Sequence, residues 1–204
     1  MNYLAHLYLS GKDEHTLVGN FIGDYVKGKN FKHYPDNIQS GILLHRRIDS
    51  FTDSHPRFGE AKMLFREDFG LYSGIIVDFL YDHFLASEWN RYSDMSLRNF
   101  AKRIHTILLS NFKYLPLRVQ GFLPFLIQNR RLESYASVTG ILESVKIMSK
   151  YTSLPAKTDL ARIILIENYD FLKKNFTEFM AEMIVFVTSY LDIDLHKTDF
   201  AEGA

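Results

Sequence analysis

Four short stretches of this 204-residue chain carry acids and imidazoles at spacings that could do chemistry. In HRRIDSFTDSH, residues 45–55, His45 and Asp49 form an i,i+4 pair on one helical face. Arg46 and Arg47 stand between them, and Asp53 and His55 follow within a turn or so. In YSGIIVDFLYDHFL, residues 72–85, Asp78 and Asp82 are again four apart, and His83 lies about 100° further round at 3.6 residues per turn. That helix is apolar enough to be buried. A buried carboxylate needs a partner or a metal, because an unpaired one costs several kcal/mol or takes up a proton. Asn20 and Asp24 lie four apart beside Gly19 and Gly23, and His6 interrupts an apolar segment at residues 2–10.

A mixed Asp/His set without cysteine suits divalent Mn, Fe, Co, Zn or Mg. Such an ion lowers the pKa of a bound water and polarises a phosphoryl oxygen. Arg46 and Arg47 could pair with phosphate oxygens. Together these are the equipment of a metal-dependent phosphohydrolase. Taken singly, the same letters also suit a core histidine at His6, a salt-bridged surface helix at 45–55 and a solvated lysine loop at 27–35. The chain shows no Walker loop, no GxGxxG after a strand, no GxSxG elbow and no HExxH.

These groups need helices to hold them. Apolar spacing predicts helices at 13–27, 37–51 with Asp36 as cap, 56–65 and 72–85. Beyond residue 95 it predicts further helices at 96–112, 117–128, 132–149, 159–174 and 176–190. Helix bundles build metal sites from inward side chains on facing helices. The expected architecture is an all-α single-domain bundle over 1–204. Its metal residues fall within 1–90, packing and substrate surface within 91–192, and a frayed tail at 193–204. Phe171, Phe176, Phe179, Met180, Met183, Ile184 and Val187 read as core.

Composition narrows the partners. Formal net charge is zero, so no global basic field exists for nucleic acid. Any acidic partner must be met locally, and KGKNFKHYP, with Lys27, Lys29, Lys32 and His33, offers a patch. The absence of cysteine excludes disulfides and thiolate chemistry and accords with a reducing compartment. No run approaches the roughly 18 apolar residues of a membrane helix, so a cytoplasmic protein without membrane association is expected.

The sequence resembles the acyl carrier protein phosphodiesterase (acyl carrier protein hydrolase) family. The resemblance is carried by Asn2-Tyr-Leu-Ala-His6-Leu, Gly19-Asn20 through Asp24-Tyr-Val-Lys-Gly28, His45-Arg-Arg-Ile-Asp49 with Thr52-Asp53, and Asp78 through Asp82-His83-Phe84-Leu85. It implies an all-helical relative of the HD phosphohydrolases with a divalent metal, most often manganese. The implied reaction frees 4′-phosphopantetheine from a serine of acyl carrier protein. By resemblance Asp24, His45, Asp82 and His83 are metal ligands, and His6, Asp49 and Asp78 act at or beside the metal. Asn20, Lys27, Arg46, Arg47 and Tyr135 are assigned to the substrate. Where the family tends to show a tryptophan–leucine before a tyrosine, this chain has Arg131-Leu132 before Tyr135. Two alternatives stand beside this reading. One is a helical metal phosphohydrolase acting on nucleotides or other small phosphoesters. The other is a non-catalytic helical module that binds an acidic partner.

Overall fold

A computed structural model describes residues 1–191 and Leu195, and the described residues are all-α, with no strand. The tail expected at 193–204 lies outside the described residues except Leu195, which is buried. The helices in chain order are α1 Tyr3–Tyr8, α2 Glu14–Ile22, α3 Asp36–Ser54, α4 Pro56–Phe69, α5 Ser73–Ser87, α6 Leu97–Ser110, α7 Leu117–Gln128, α8 Arg131–Ser134, α9 Val138–Tyr151, α10 Thr158–Glu167 and α11 Tyr169–Leu191.

Local chemistry sets several of these boundaries. Asp13 caps α2 by accepting from the Thr16 N–H at 2.6 Å. The helix expected to run to residue 27 ends at Ile22, and Gly23–Tyr25 tightens into a 3-10 turn that carries Asp24. Asp36 is the first residue of α3, after Pro35, and not its cap. The pattern at 132–149 divides into α8 and α9, where Ser137 accepts from the Gly140 N–H and caps the second helix. The later break falls at Asn168, and Phe171, expected in the core, is 47% exposed on α11. Phe176, Phe179, Met180, Met183, Ile184 and Val187 are buried as read.

α5 lies at the centre of the bundle. Its residues from Phe79 to Ala86 are all buried, as befits a helix apolar on every side. Each large side chain so buried contributes about 1.5–3 kcal/mol relative to exposure. α2 and α3 cross at backbone contact through Gly19 and Gly41. A Cβ on Gly19 would overlap the Ile38 carbonyl, and one on Gly41 would overlap the Thr16 carbonyl. Only glycine at both positions lets the helices come this close. Among the described residues no helix is long and apolar enough to cross a membrane.

Candidate metal centre

Asn20, fully buried at the α2–α3 contact, organises two imidazoles. Its Nδ2 donates to the His6 carbonyl at 2.9 Å and to Ser10 Oγ at 2.9 Å. Ser10 Oγ in turn donates to the His6 carbonyl at 2.7 Å. The amide is thereby fixed, so Asn20 Oδ1 faces His6 Nδ1 at 2.8 Å and accepts its proton. The Asn20 backbone carbonyl accepts from His45 Nδ1 at 2.8 Å. Both histidines thus carry their neutral-form proton on Nδ1, and both Nε2 atoms have a lone pair to give.

Those two lone pairs point at other acceptors. His6 Nε2 lies 3.2 Å from Asp49 Oδ1 and 3.1 Å from the Met1 carbonyl. His45 Nε2 lies 3.1 Å from Asp49 Oδ2 and 3.5 Å from Asp24 Oδ1. It is buried, yet makes an aligned hydrogen bond to neither. One ligand atom each from His6, His45 and Asp49 falls within 4.8 Å of the others. Acceptors aimed at acceptors need a proton or a cation between them, and two imidazoles with a carboxylate form a donor set that divalent metals take. The residues present fit a metal. Asn20 supplies the polar partner that a ligating histidine normally has on its other ring nitrogen.

The electrostatics agree. Burial, with His45 alongside, lowers His6 to about 4 and keeps it neutral. Burial also opposes charge on His45, but the Asp24 and Asp49 carboxylates beside Nε2 outweigh it and hold this imidazole up to about 9, so at neutral pH Nε2 holds a proton that a bound cation would displace. Burial would raise Asp49, yet the two histidines hold its carboxyl far below the usual carboxylate range. Hydrogen bonding to His45 also lowers Asp24, which sits at the rim with a side chain 66% exposed. Gly23 completes the pocket, because a Cβ there would overlap the His45 ring.

The structure brings His6, Asp24, His45 and Asp49 together, but not Asp82 or His83. Asp82, expected as a ligand, has both oxygens engaged at the start of α1. Oδ2 accepts from the Leu4 N–H at 2.8 Å and Oδ1 from the Ala5 N–H at 3.0 Å. These N–H groups have no partner inside their own helix, so a carboxylate suits them. Burial still raises the Asp82 carboxyl to about 7. His83 points to another side of α5, with Nδ1 donating to the Tyr135 carbonyl at 2.9 Å and Nε2 lying 3.2 Å from the Tyr169 hydroxyl. Asp78 Oδ1 lies 2.9 Å from the Met1 amino group, one layer behind Asp49.

The residues expected to meet substrate are placed as follows. Asn20 is buried beneath the histidines. Arg46 Nη2 donates to the carbonyls of Val26 and Gly28, and Arg47 lies over Tyr190. Lys27 is exposed, whereas Tyr135 is in the core. Arg130 pairs with Glu133, and Arg131 donates to the Gly140 carbonyl. His55 lies 3.1 Å from Glu182 and caps α4, apart from the cluster. The close approach expected beside Gly19 and Gly23 is present, whereas sequence reasoning missed the positioning role of Asn20 and the matching approach at Gly41. The Gly-Asn and Gly-Asp pairs at 19–20 and 23–24 were the available signal.

A family model described as acyl carrier protein phosphodiesterase matches residues 1–183. A Yersinia pestis protein of that name is 35% identical over 150 residues, covering 73% of this chain and 78% of the relative. One from Enterobacter sp. (strain 638) is 34% identical over 187 residues, covering 91% and 96%. One from Pectobacterium atrosepticum is 36% identical over 150 residues, covering 73% and 78%. No solved structure matches, so the likeness to HD phosphohydrolases remains an expectation from sequence.

Proposed function

The chain belongs to the acyl carrier protein phosphodiesterase family, and on that premise we propose that it hydrolyses the phosphodiester joining 4′-phosphopantetheine to a serine of holo-acyl carrier protein. The products are apo-carrier and 4′-phosphopantetheine. The observation that carries the metal-dependent form of this reading is the convergence of His6, His45 and Asp49, with one ligand atom of each within 4.8 Å of the others. In this reading those three residues hold a divalent metal, manganese first and Mg, Fe, Co or Zn after it. Once bound, the metal would lower the pKa of a water and withdraw charge from phosphoryl oxygens.

The chain's own groups account for the rest. Asn20 fixes both imidazoles by their Nδ1 atoms. Asp24, exposed at the rim and ionised at neutral pH, takes the proton of the attacking water, and the departing serine oxygen, on the opposite side of phosphorus, takes a proton from solvent. The bond formed is water oxygen to phosphorus, and the bond broken is phosphorus to serine oxygen. Lys27, Lys29 and Lys32 are exposed on the loop after Asp24 and face the acidic carrier, an attraction that weakens with salt.

The test is incubation of holo-carrier with the protein and manganese, read by intact mass. Apo-carrier and free 4′-phosphopantetheine are expected, and excess chelator abolishes both. No conversion of holo-carrier, with turnover of nucleotides or small phosphoesters instead, would overturn the reading.

A further inference from the structure

A shallow, open cleft of about 360 Å³ is lined by Tyr25, Val26, Asn30, His33, Tyr34 and Pro116. It begins one residue from Asp24. Its walls are tied in place by bonds within the protein. Arg46 Nη2 donates to the Val26 carbonyl at 2.9 Å and to the Gly28 carbonyl at 2.7 Å, and the guanidinium lies 5.2 Å over the Phe31 ring. Gln39 Nε2 donates to the Tyr34 carbonyl at 2.8 Å. The Tyr25 hydroxyl is 2.7 Å from that of Tyr3, and the Tyr25 ring stacks on Phe122 at 6.4 Å. Arg46, read from sequence as a phosphate ligand, is thus a brace for this loop.

The lining has a mixed character. Tyr25, Val26, Tyr34 and Pro116 present apolar surface. Asn30 and His33 are exposed and offer donors and acceptors. No carboxylate is among the lining residues.

We propose that this cleft receives the pantetheine arm of the substrate while its phosphodiester lies at His6, His45 and Asp49. The inference rests on the proposed function and deepens it. The arm is a gem-dimethyl head bearing one free hydroxyl, followed by two amides and a thiol. The apolar walls suit the head, and Asn30 and His33 suit the amides. The volume lies at the lower end of small-molecule clefts, which run from roughly 300 Å³ upward. The carrier protein itself is left to the exposed lysines outside.

The experiment compares the wild type with the double variant Asn30→Trp/His33→Trp, which fills the cleft from two exposed positions. Pantetheine is titrated into each manganese-loaded protein by calorimetry. The wild type binds it, and the variant does so at least tenfold more weakly, with Mn²⁺ affinity and melting temperature unchanged. Equal binding to both, or binding to neither, overturns the cleft. With holo-carrier as substrate the variant shows a KM at least tenfold higher, while apo-carrier, which has no arm, inhibits both proteins with the same constant. A parallel loss of apo-carrier inhibition would make the loop a surface for the carrier protein and would also overturn the cleft. A wild type that binds pantetheine but converts no holo-carrier would overturn the proposed function and leave the cleft standing.

Discussion

The imidazoles of His6 and His45 lie face to face, with ring centroids 4.1 Å apart and planes 19° from parallel. Two imidazolium cations would repel at this distance, so the stack holds at most one proton beyond the neutral pair. Burial keeps that proton off His6, and the two carboxylates retain it on His45. A dication takes the place of the proton and binds both rings at once.

Removal of a ligand separates metal binding from proton transfer. His45→Ala and Asp49→Ala are expected to bind Mn²⁺ at least ~10-fold more weakly by calorimetry, since even loss of a residue behind a ligand costs about 10–100-fold. Asp24→Asn is expected to keep Mn²⁺ affinity within about threefold but to lose about 10²–10⁴-fold in turnover, the usual worth of a positioned acid–base group. Equal losses of affinity in all three variants would place Asp24 among the ligands.

Asn20→Ala tests the residue behind both histidines. The variant frees the Nδ1 of His6 to rotate and leaves buried partners without bonds. Mn²⁺ affinity is expected to fall about 10–100-fold. Unfolding free energy in urea is expected to fall by at least about 1–3 kcal/mol, the cost of one unsatisfied buried group. Unchanged metal binding in a destabilised protein would reduce Asn20 to a structural role.

Gly23→Ala puts a methyl group into the His45 ring. The ring must move away from Asp24, so Mn²⁺ affinity should drop at least ~10-fold, a loss of the size seen when a ligand's orienting partner is removed. Gly59→Ala, on α4 with open space where the methyl goes, is the control. That variant should gain about 0.4–1 kcal/mol from restriction of the unfolded chain and leave metal binding untouched.

Asp82 gives the fold a pH dependence. Burial pushes its carboxyl up to about 7 in the native protein, from 3.8 for the free side chain. Between these values the native state holds a proton that the unfolded chain has released, so this group's contribution to stability falls as pH rises through the window. Asp82→Asn cannot titrate. Its amide also sets an NH₂ against one of the two N–H groups of α1, which costs about 1–3 kcal/mol. In urea melts the wild type should exceed the variant most at pH 5, and the gap should narrow towards pH 8. A gap constant with pH would show that the native carboxyl titrates near its unfolded value.

The helical character of the chain was legible because apolar spacing is local. The His45–Asp49 pair was legible for the same reason, since four residues on one helix must share a face. The Asp82–His83 pair misled because a carboxylate can be satisfied by backbone N–H groups, and backbone donors leave no letter in a sequence. Adjacent residues on a helix diverge by about 100°, and here that rotation sends His83 towards Tyr135. Tyr135 itself was read as a substrate contact because nothing local shows that this residue between α8 and α9 is buried. Asn20 looked like a substrate group because its bonds run to residues 6, 10 and 45, whose proximity only the tertiary fold creates.

The glycine-on-glycine crossing of α2 and α3 has a consequence for ion choice. Asn20 follows Gly19 directly and carries the carbonyl that aims His45, while its amide aims His6. The gap between the two Nε2 atoms is therefore set by how far apart two stretches of bare backbone stand. Enlarging either glycine would drive backbone into backbone, so it would cost stability as it widened that gap, and cations of larger radius would gain on smaller ones.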